Sequence, residues 1–150
     1  MLDIYIDADA CPVKEEVYKV ALRCKLKVLV VSNSWMYTPD RGEVEFVRVD
    51  DGFDAADNWI AEHAGAGDIV VTSDIPLAAR CLEAGAAVLD GKGKEFKEDT
   101  IGGALASREL MADLRDLGTI TGGPAPFAPK DRSRFLGTLD QIVQRMRRKA

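Results

Sequence analysis

Histidine is nearly absent from this 150-residue chain, where His63 stands alone. That excludes zinc sites built on several histidines and sites of the Cys₂His₂ kind. Cysteine is scarce too. Cys11, Cys24 and Cys81 are odd in number, widely spaced and form no C-x-x-C. This usage fits free thiols in a reducing compartment, so a cytoplasmic location is expected. No apolar run approaches the ~20 residues that a membrane span needs. Met1-Leu2-Asp3-Ile4 lacks the basic segment and apolar stretch of a signal peptide and reads as the start of a strand. Neither a Walker A sequence nor G-x-G-x-x-G occurs, so a nucleotide cofactor is not indicated. An excess of positive charge is also missing. The net charge of −5 argues against holding nucleic acid by bulk electrostatics.

The charge is uneven, however. In residues 131–150, Arg132, Arg134, Arg145, Arg147, Arg148 and Lys149 face only Asp131 and Asp140, so this stretch carries +4 and the remainder −9. Such a tail suits an anionic substrate or partner, or is the charged outer face of a soluble helix. At 47% hydrophobic and 30% charged the chain is an ordinary globular one. A chain of this size buries roughly 68–70% of its unfolded surface, enough for one core without staples. One domain is expected over 1–150, with a helical extension at about 131–149.

What the chain has is four apolar runs that each end on an aspartate: Ile4–Asp7, Phe46–Asp50, Ile69–Asp74 and Ala87–Asp90. As parallel strands they would line four carboxylates along one sheet edge, the edge where open α/β sheets bind ligands. Crowded carboxylates repel and call for a cation. Hard divalent ions such as Mg²⁺ prefer oxygen ligands, and such ions point to phosphate chemistry.

Strands and helices alternate, the pattern of a parallel sheet covered by helices. The expected fold is α/β, a three-layer sandwich with a mainly parallel central sheet of about five strands. Strands fall at about 3–7, 27–31, 44–49, 68–72 and 86–89. Pro12 opens the first helix at its first position, with Glu15 and Glu16 in the first turn and Val13, Val17, Val20, Ala21 and Cys24 on the apolar face. Further helices are expected at about 54–64, from Asp74 to Gly85, from Thr100 as cap to about Leu117, and from Asp131 as cap onward. The last carries Phe135, Leu139, Ile142, Val143 and Met146 on one side. Residues 35–42 read as a loop with a turn at Pro39-Asp40-Arg41-Gly42, Gly91–Lys94 as a flexible turn, and 118–129 as a Gly/Pro-rich loop.

Several residues can carry chemistry. Asp7 and Asp9 close the first strand, where the chain curls and both carboxylates can approach one ion; Asp9 could equally cap the following helix. Asp54 and Asp57 share a helix face. Asp54 is also a natural N-cap, whereas capping does not explain Asp57. Asp74 is a plausible N-cap as well, but it closes the strand expected beside the first one. Asn33, Ser34, Thr72 and Ser73 could meet a phosphate or the metal's water shell. Lys92, Arg132 and Arg134 could meet phosphates. Trp35 and Tyr37 could stack on a base or cover a core edge. Cys11 beside a helix N-terminus could have a depressed thiol pKa.

Asp7-Ala8-Asp9-Ala10-Cys11-Pro12, Gly52-Phe53-Asp54-Ala55-Ala56-Asp57-Asn58, Thr72-Ser73-Asp74-Ile75-Pro76-Leu77-Ala78 and Thr121-Gly122-Gly123-Pro124 occur in this order over nearly the whole chain. In them the sequence resembles the YaiI/YqxD family of bacterial proteins, also called UPF0178 or DUF188. The resemblance implies a PIN-like fold, the fold of many metal-dependent ribonucleases. These place acidic residues at the end of strand one, on a mid-chain helix and at the end of strand four. Here those positions are Asp7, Asp54 or Asp57, and Asp74. A divalent-metal-dependent nuclease acting on RNA is therefore expected. Its catalytic residues would be Asp7, Asp54, Asp57 and Asp74, and Mg²⁺ or Mn²⁺ would be held by Asp7, Asp9, Asp57 and Asp74. A homodimer is expected only by analogy with PIN domains, and no membrane partner is expected. Fold alone does not establish an activity, so a non-catalytic module that binds RNA or protein is the first alternative. A phosphatase of the haloacid-dehalogenase type, with Asp7 as nucleophile and Asp9 as acid/base, is the second. It is disfavoured by Cys11 in its motif and by the early position of Asp50-Asp51.

Overall fold

The computed structural model describes residues 2–8, 11–40, 42–50, 52, 55–103, 105–107 and 127–149. In chain order these form β1 (Asp3–Asp7), α1 (Lys14–Cys24), β2 (Lys27–Ser32), β3 (Glu43–Arg48), α2 (Ala55–His63), β4 (Ile69–Val71), α3 (Ile75–Glu83), β5 (Ala87–Leu89) and β6 (Glu95–Phe96). Residues 98–103 are helical (α4), as are 105–107, and the last helix is α5 (Pro129–Lys149). The strands make one sheet in the order β3-β2-β1-β4-β5-β6. β1 to β5 are parallel, and β6 joins β5 antiparallel. This is the expected α/β sandwich with one more strand. β6 has two residues, too few to show an alternation.

Side chains of a strand alternate between faces, so a buried parallel strand feeds two cores. Ile4, Ile6, Val28, Val30, Ile69, Val71, Ala87 and Leu89 enter the first core, under α1 and α5. Tyr5, Leu29, Val31, Val70 and Val88 enter the second, under α2 and α3. The expected face of α1 is buried, and so are Phe135, Leu139, Ile142 and Val143 of α5. The C-terminal helix thus supplies core to the first layer. Its cationic side chains fasten it there. Arg145 holds Glu95 through two hydrogen bonds of 3.0 and 2.5 Å, and Arg147 donates to the Cys24 carbonyl.

Several helix ends differ from expectation. α1 begins at Lys14 behind Val13, which offers no side-chain cap, and Pro12 lies in the preceding turn. Thr100 lies inside α4, and its hydroxyl donates to the Lys97 carbonyl (3.3 Å). Asp131 is the third residue of α5. Its Oδ2 accepts from the Ala128 N–H (2.9 Å), the reach-back half of a capping box. The stretch 108–126, with Thr121–Pro124, lies outside the described residues.

The turn at Gly91–Lys94 is built rather than loose. Asp90 Oδ1 accepts the N–H groups of Lys92 and Lys94, both at 2.9 Å. Thr138 of α5 donates to the Gly93 carbonyl (2.8 Å). Gly93 has φ +86°, and a Cβ there would stand 2.8 Å from the backbone of Arg134 and Phe135. Gly67 has φ +90° but open space around it. Gly93→Ala is therefore expected to lower unfolding free energy by about 3 kcal/mol, strain plus overpacking. Gly67→Ala should cost about 1 kcal/mol, strain only. Urea denaturation of both variants measures this; the reverse order would refute the packing of this turn on α5.

Candidate functional site

Asp7 ends β1 and lies in register with Val31 of β2. On its other side Ile6 is in register with Val71, so the chain leaving β4 passes next to Asp7. There the buried Thr72 hydroxyl donates to Asp7 Oδ2 at 2.9 Å and accepts the Asp74 N–H at 3.0 Å. One hydroxyl thus ties the ends of two strands together. The Thr72 N–H meanwhile reaches Leu89 O of β5 at 3.0 Å, extending the ladder. Asp74 is the N-cap of α3, its Oδ1 accepting the Leu77 N–H at 2.9 Å, with Pro76 in the first turn.

Asp7 shares the parity of Tyr5, which belongs to the α2–α3 layer. Asp57 lies in the first turn of α2, and helices that follow parallel strands start at this carboxyl edge. The charges of both carboxylates act on the buried Cys81 thiol of α3. Burial pushes it up from 9.0 to about 11; Arg80 opposes this, and the charges of Asp57 and Asp7 add to it. Arg80 also donates to Asn58 Oδ1 at 2.8 Å, joining α2 to α3 beside Asp57. Asp7, Asp57 and Asp74 thus lie at the same end of the sheet.

A small open cleft runs past this point, lined by Asp7, Cys11, Pro12, Val71, Thr72, Ser73 and Gly91. The Cys11 thiol pKa is raised, chiefly by burial, against the lowering that its place before α1 suggested. Desolvation of a thiolate outweighs the helix terminus there. Cys11, Cys24 and Cys81 are all buried and free.

The remaining residues divide. Ser73 is exposed on the cleft, and Asn33 and Ser34 follow β2 at the same edge, with Ser34 Oγ donating to Asn33 Oδ1 at 3.2 Å. Lys92 is in the β5–β6 turn beside Gly91. Arg132 is engaged with the protein: it donates to Glu16 Oε1 (2.5 Å) and to Pro12 O (3.2 Å), and its guanidinium lies 5.0 Å from the Phe127 ring centre. Arg134 faces Asp131 at 3.7 Å. Asp9 and Asp54 lie outside the described residues.

Sequence reasoning missed Glu16, which is only 4% exposed and anchors Arg132 and hence the 11–13 turn to α5. Its signal was available, since Glu16 is three residues after Val13 and four before Val20 on the apolar stripe. Pro12 and Gly91 as cleft walls gave no signal.

Asp7, Asp57 and Asp74 offer only carboxylate oxygens, the donor type that Mg²⁺ and Mn²⁺ favour. The chemistry of the donor set fits such an ion. Among the described residues no three His, Cys, Asp or Glu side chains stand close enough to hold one by themselves. No helix among the described residues is long and apolar enough to cross a membrane.

Residues 5–145 match the model of the family described as "Uncharacterized BCR, YaiI/YqxD family". The chain belongs to this family. Among its relatives, a UPF0178 protein of Bradyrhizobium sp. (strain ORS 278) is 52% identical over 147 residues, 98% of this chain and 90% of that protein. A UPF0178 protein of Rhodospirillum centenum is 56% identical over 152 residues, 99% of each chain. One of Caulobacter sp. (strain K31) is 57% identical over 148 residues, 99% and 98% of the two chains. No solved structure matches.

Two outcomes follow from this geometry. Thr72→Val removes a donor to a carboxylate and an acceptor for a backbone N–H. It should cost about 2 kcal/mol of stability in chemical denaturation, while Thr72→Ser should cost under ~1 kcal/mol. Equal effects would refute the bridging role. The second concerns pH. Below pH 9 the Cys81 thiol is protonated in both states and contributes no pH dependence. Above that the unfolded chain loses its proton first, so stability falls from pH 9 to about 11. Denaturation of wild type and Cys81→Ser over this range should show a smaller decline in the variant.

Proposed function

We propose that the chain is a divalent-metal-dependent nuclease that hydrolyses RNA phosphodiesters on a PIN-like fold. The observation that carries this reading is the Thr72 hydroxyl, which links Asp7 at the end of β1 to the start of α3 at Asp74. It joins the Asp7 carboxylate to the backbone N–H of Asp74, a residue 67 positions away in sequence, and the charges of Asp57 and Asp7 both act on the Cys81 thiol of α3. The strand order supports it as well, because β1 and β4 are the central neighbours of the sheet.

In this reading Asp7, Asp57 and Asp74 would contribute oxygens to a Mg²⁺ or Mn²⁺ site that the described residues do not complete by themselves; Asp9, which follows β1, would be a further ligand, and Asp54 is the alternative to Asp57 that the family resemblance implies. When bound, such an ion neutralises phosphate charge and acidifies a water. The chain's own residues orient the substrate. Thr72 fixes the rotamer of Asp7. Ser73, Asn33 and Ser34 present hydroxyl and amide groups at the cleft, and Lys92 approaches from the β5–β6 turn. Arg132 contributes by holding the 11–13 turn against α5, since its guanidinium is engaged with Glu16. Arg134 serves as a peripheral cation.

Asp7→Asn keeps shape and removes charge, so the fold should survive while Mn²⁺-dependent cleavage falls by roughly a hundredfold or more. Cleavage of mixed single-stranded and structured RNA, with and without EDTA, measures this alongside circular dichroism. Equal cleavage by wild type and variant would defeat the reading. Tight RNA binding without cleavage would establish a non-catalytic binding module instead.

A further inference from the structure

Trp35 and Tyr37 are each 73% exposed. Between them Met36 packs against the first core. The segment is pinned by its thioether and turns two aromatic rings to water. Burial gain scales with apolar area, and rings carry more of it than a methionine can. Two large rings exposed within three residues of one pinned segment make this an apolar surface suited to contact.

Their place narrows what makes that contact. The segment leaves the carboxyl end of β2, whose Val31 is in register with Asp7, so Trp35 follows four residues beyond that pairing. Asn33 and Ser34 lie between, and exposed Arg48 ends β3 in register with Ser32. Two rings, two polar side chains and a cation thus follow or end β2 and β3 at the sheet edge where β1 ends on Asp7. A chain of net charge −5 cannot hold a polyanion by bulk charge. It needs an attraction that does not depend on charge, and base–aromatic stacking supplies one that tolerates any sequence. Paired bases in a duplex already have both faces covered, so the ligand has unpaired bases.

We propose that Trp35 and Tyr37 form a base-stacking subsite for single-stranded nucleic acid, with Arg48 at its phosphates and the strand running on toward Asp7. The choice of a nucleic acid as ligand and the direction toward Asp7 rest on the nuclease reading; the exposure of the two rings does not.

The test uses the full chain in EDTA, where no cleavage occurs, and a fluorescently labelled short single-stranded RNA followed by anisotropy. Trp35→Ala and Tyr37→Ala should each weaken binding about tenfold, equivalent to ~1.4 kcal/mol, while Trp35→Phe retains most of it. A duplex of the same sequence should compete poorly. The inference is overturned if wild type does not bind, or if Trp35→Ala binds as tightly as wild type. It is also overturned if sedimentation shows that Trp35→Ala turns a dimer into a monomer, because a second copy then covers the rings. Asp7→Asn, assayed on the same RNA with Mn²⁺, separates the two readings. Binding that depends on Trp35 together with cleavage that survives Asp7→Asn keeps the subsite and removes the nuclease site. The opposite pair of results does the reverse.

Discussion

Five strands running in one direction is the constraint on which the rest of this structure depends. A parallel strand can be followed by another only if the chain crosses back over the sheet, and here helices supply most of those crossings. Each of β1 to β5 therefore finishes at the same edge, and the helices that directly follow β1, β3 and β4 start there. The consequence is chemical: residues far apart in sequence are delivered to one place with their backbone directions already set. The Thr72 contact with Asp7 exists because β1 and β4 are adjacent and in phase.

The two cores are tuned to this arrangement. Strand interiors are apolar on both faces, and the parity of each residue decides which helix pair it meets. At the last paired residue of β1 the same parity aims Asp7 toward α2 and α3, where burial alone would have favoured an apolar side chain. The half-buried carboxylate is stabilised by the Thr72 hydroxyl. On the other layer, Glu16 and Arg132 fasten α5 across the turn that walls the cleft. A charge pair with the Glu16 carboxylate buried and the Arg132 side chain still exposed adds little net stability, yet it fixes the position of that turn.

The YaiI/YqxD membership rests on the whole length of the chain, so the carboxyl-edge residues belong to the same matched stretch as the core. The proposed nuclease chemistry draws on oxygen donors that share this edge, and the proposed stacking subsite draws on rings that folding leaves uncovered. They are separate physical features. One is electrostatic and needs a cation, while the other is apolar and needs a base.

Much of this was legible in the chain itself. The continuous apolar runs of β1 and β2, the i, i+3, i+4 stripe of α1 and the Phe135–Val143 stripe of α5 are local patterns, and local patterns follow from backbone geometry and burial. Asp7 at the end of β1 and Asp74 as the cap of the helix after β4 were legible for the same reason. What only the tertiary structure decided were relations between segments: that β6 adds an antiparallel edge, that Arg132 is engaged by Glu16, that the Cys11 thiol pKa rises with burial, and that Met36 turns inward while Trp35 and Tyr37 turn out. Each depends on which distant surface arrives next to a side chain, and long-range packing, unlike helical or strand periodicity, leaves no repeating mark in a single sequence.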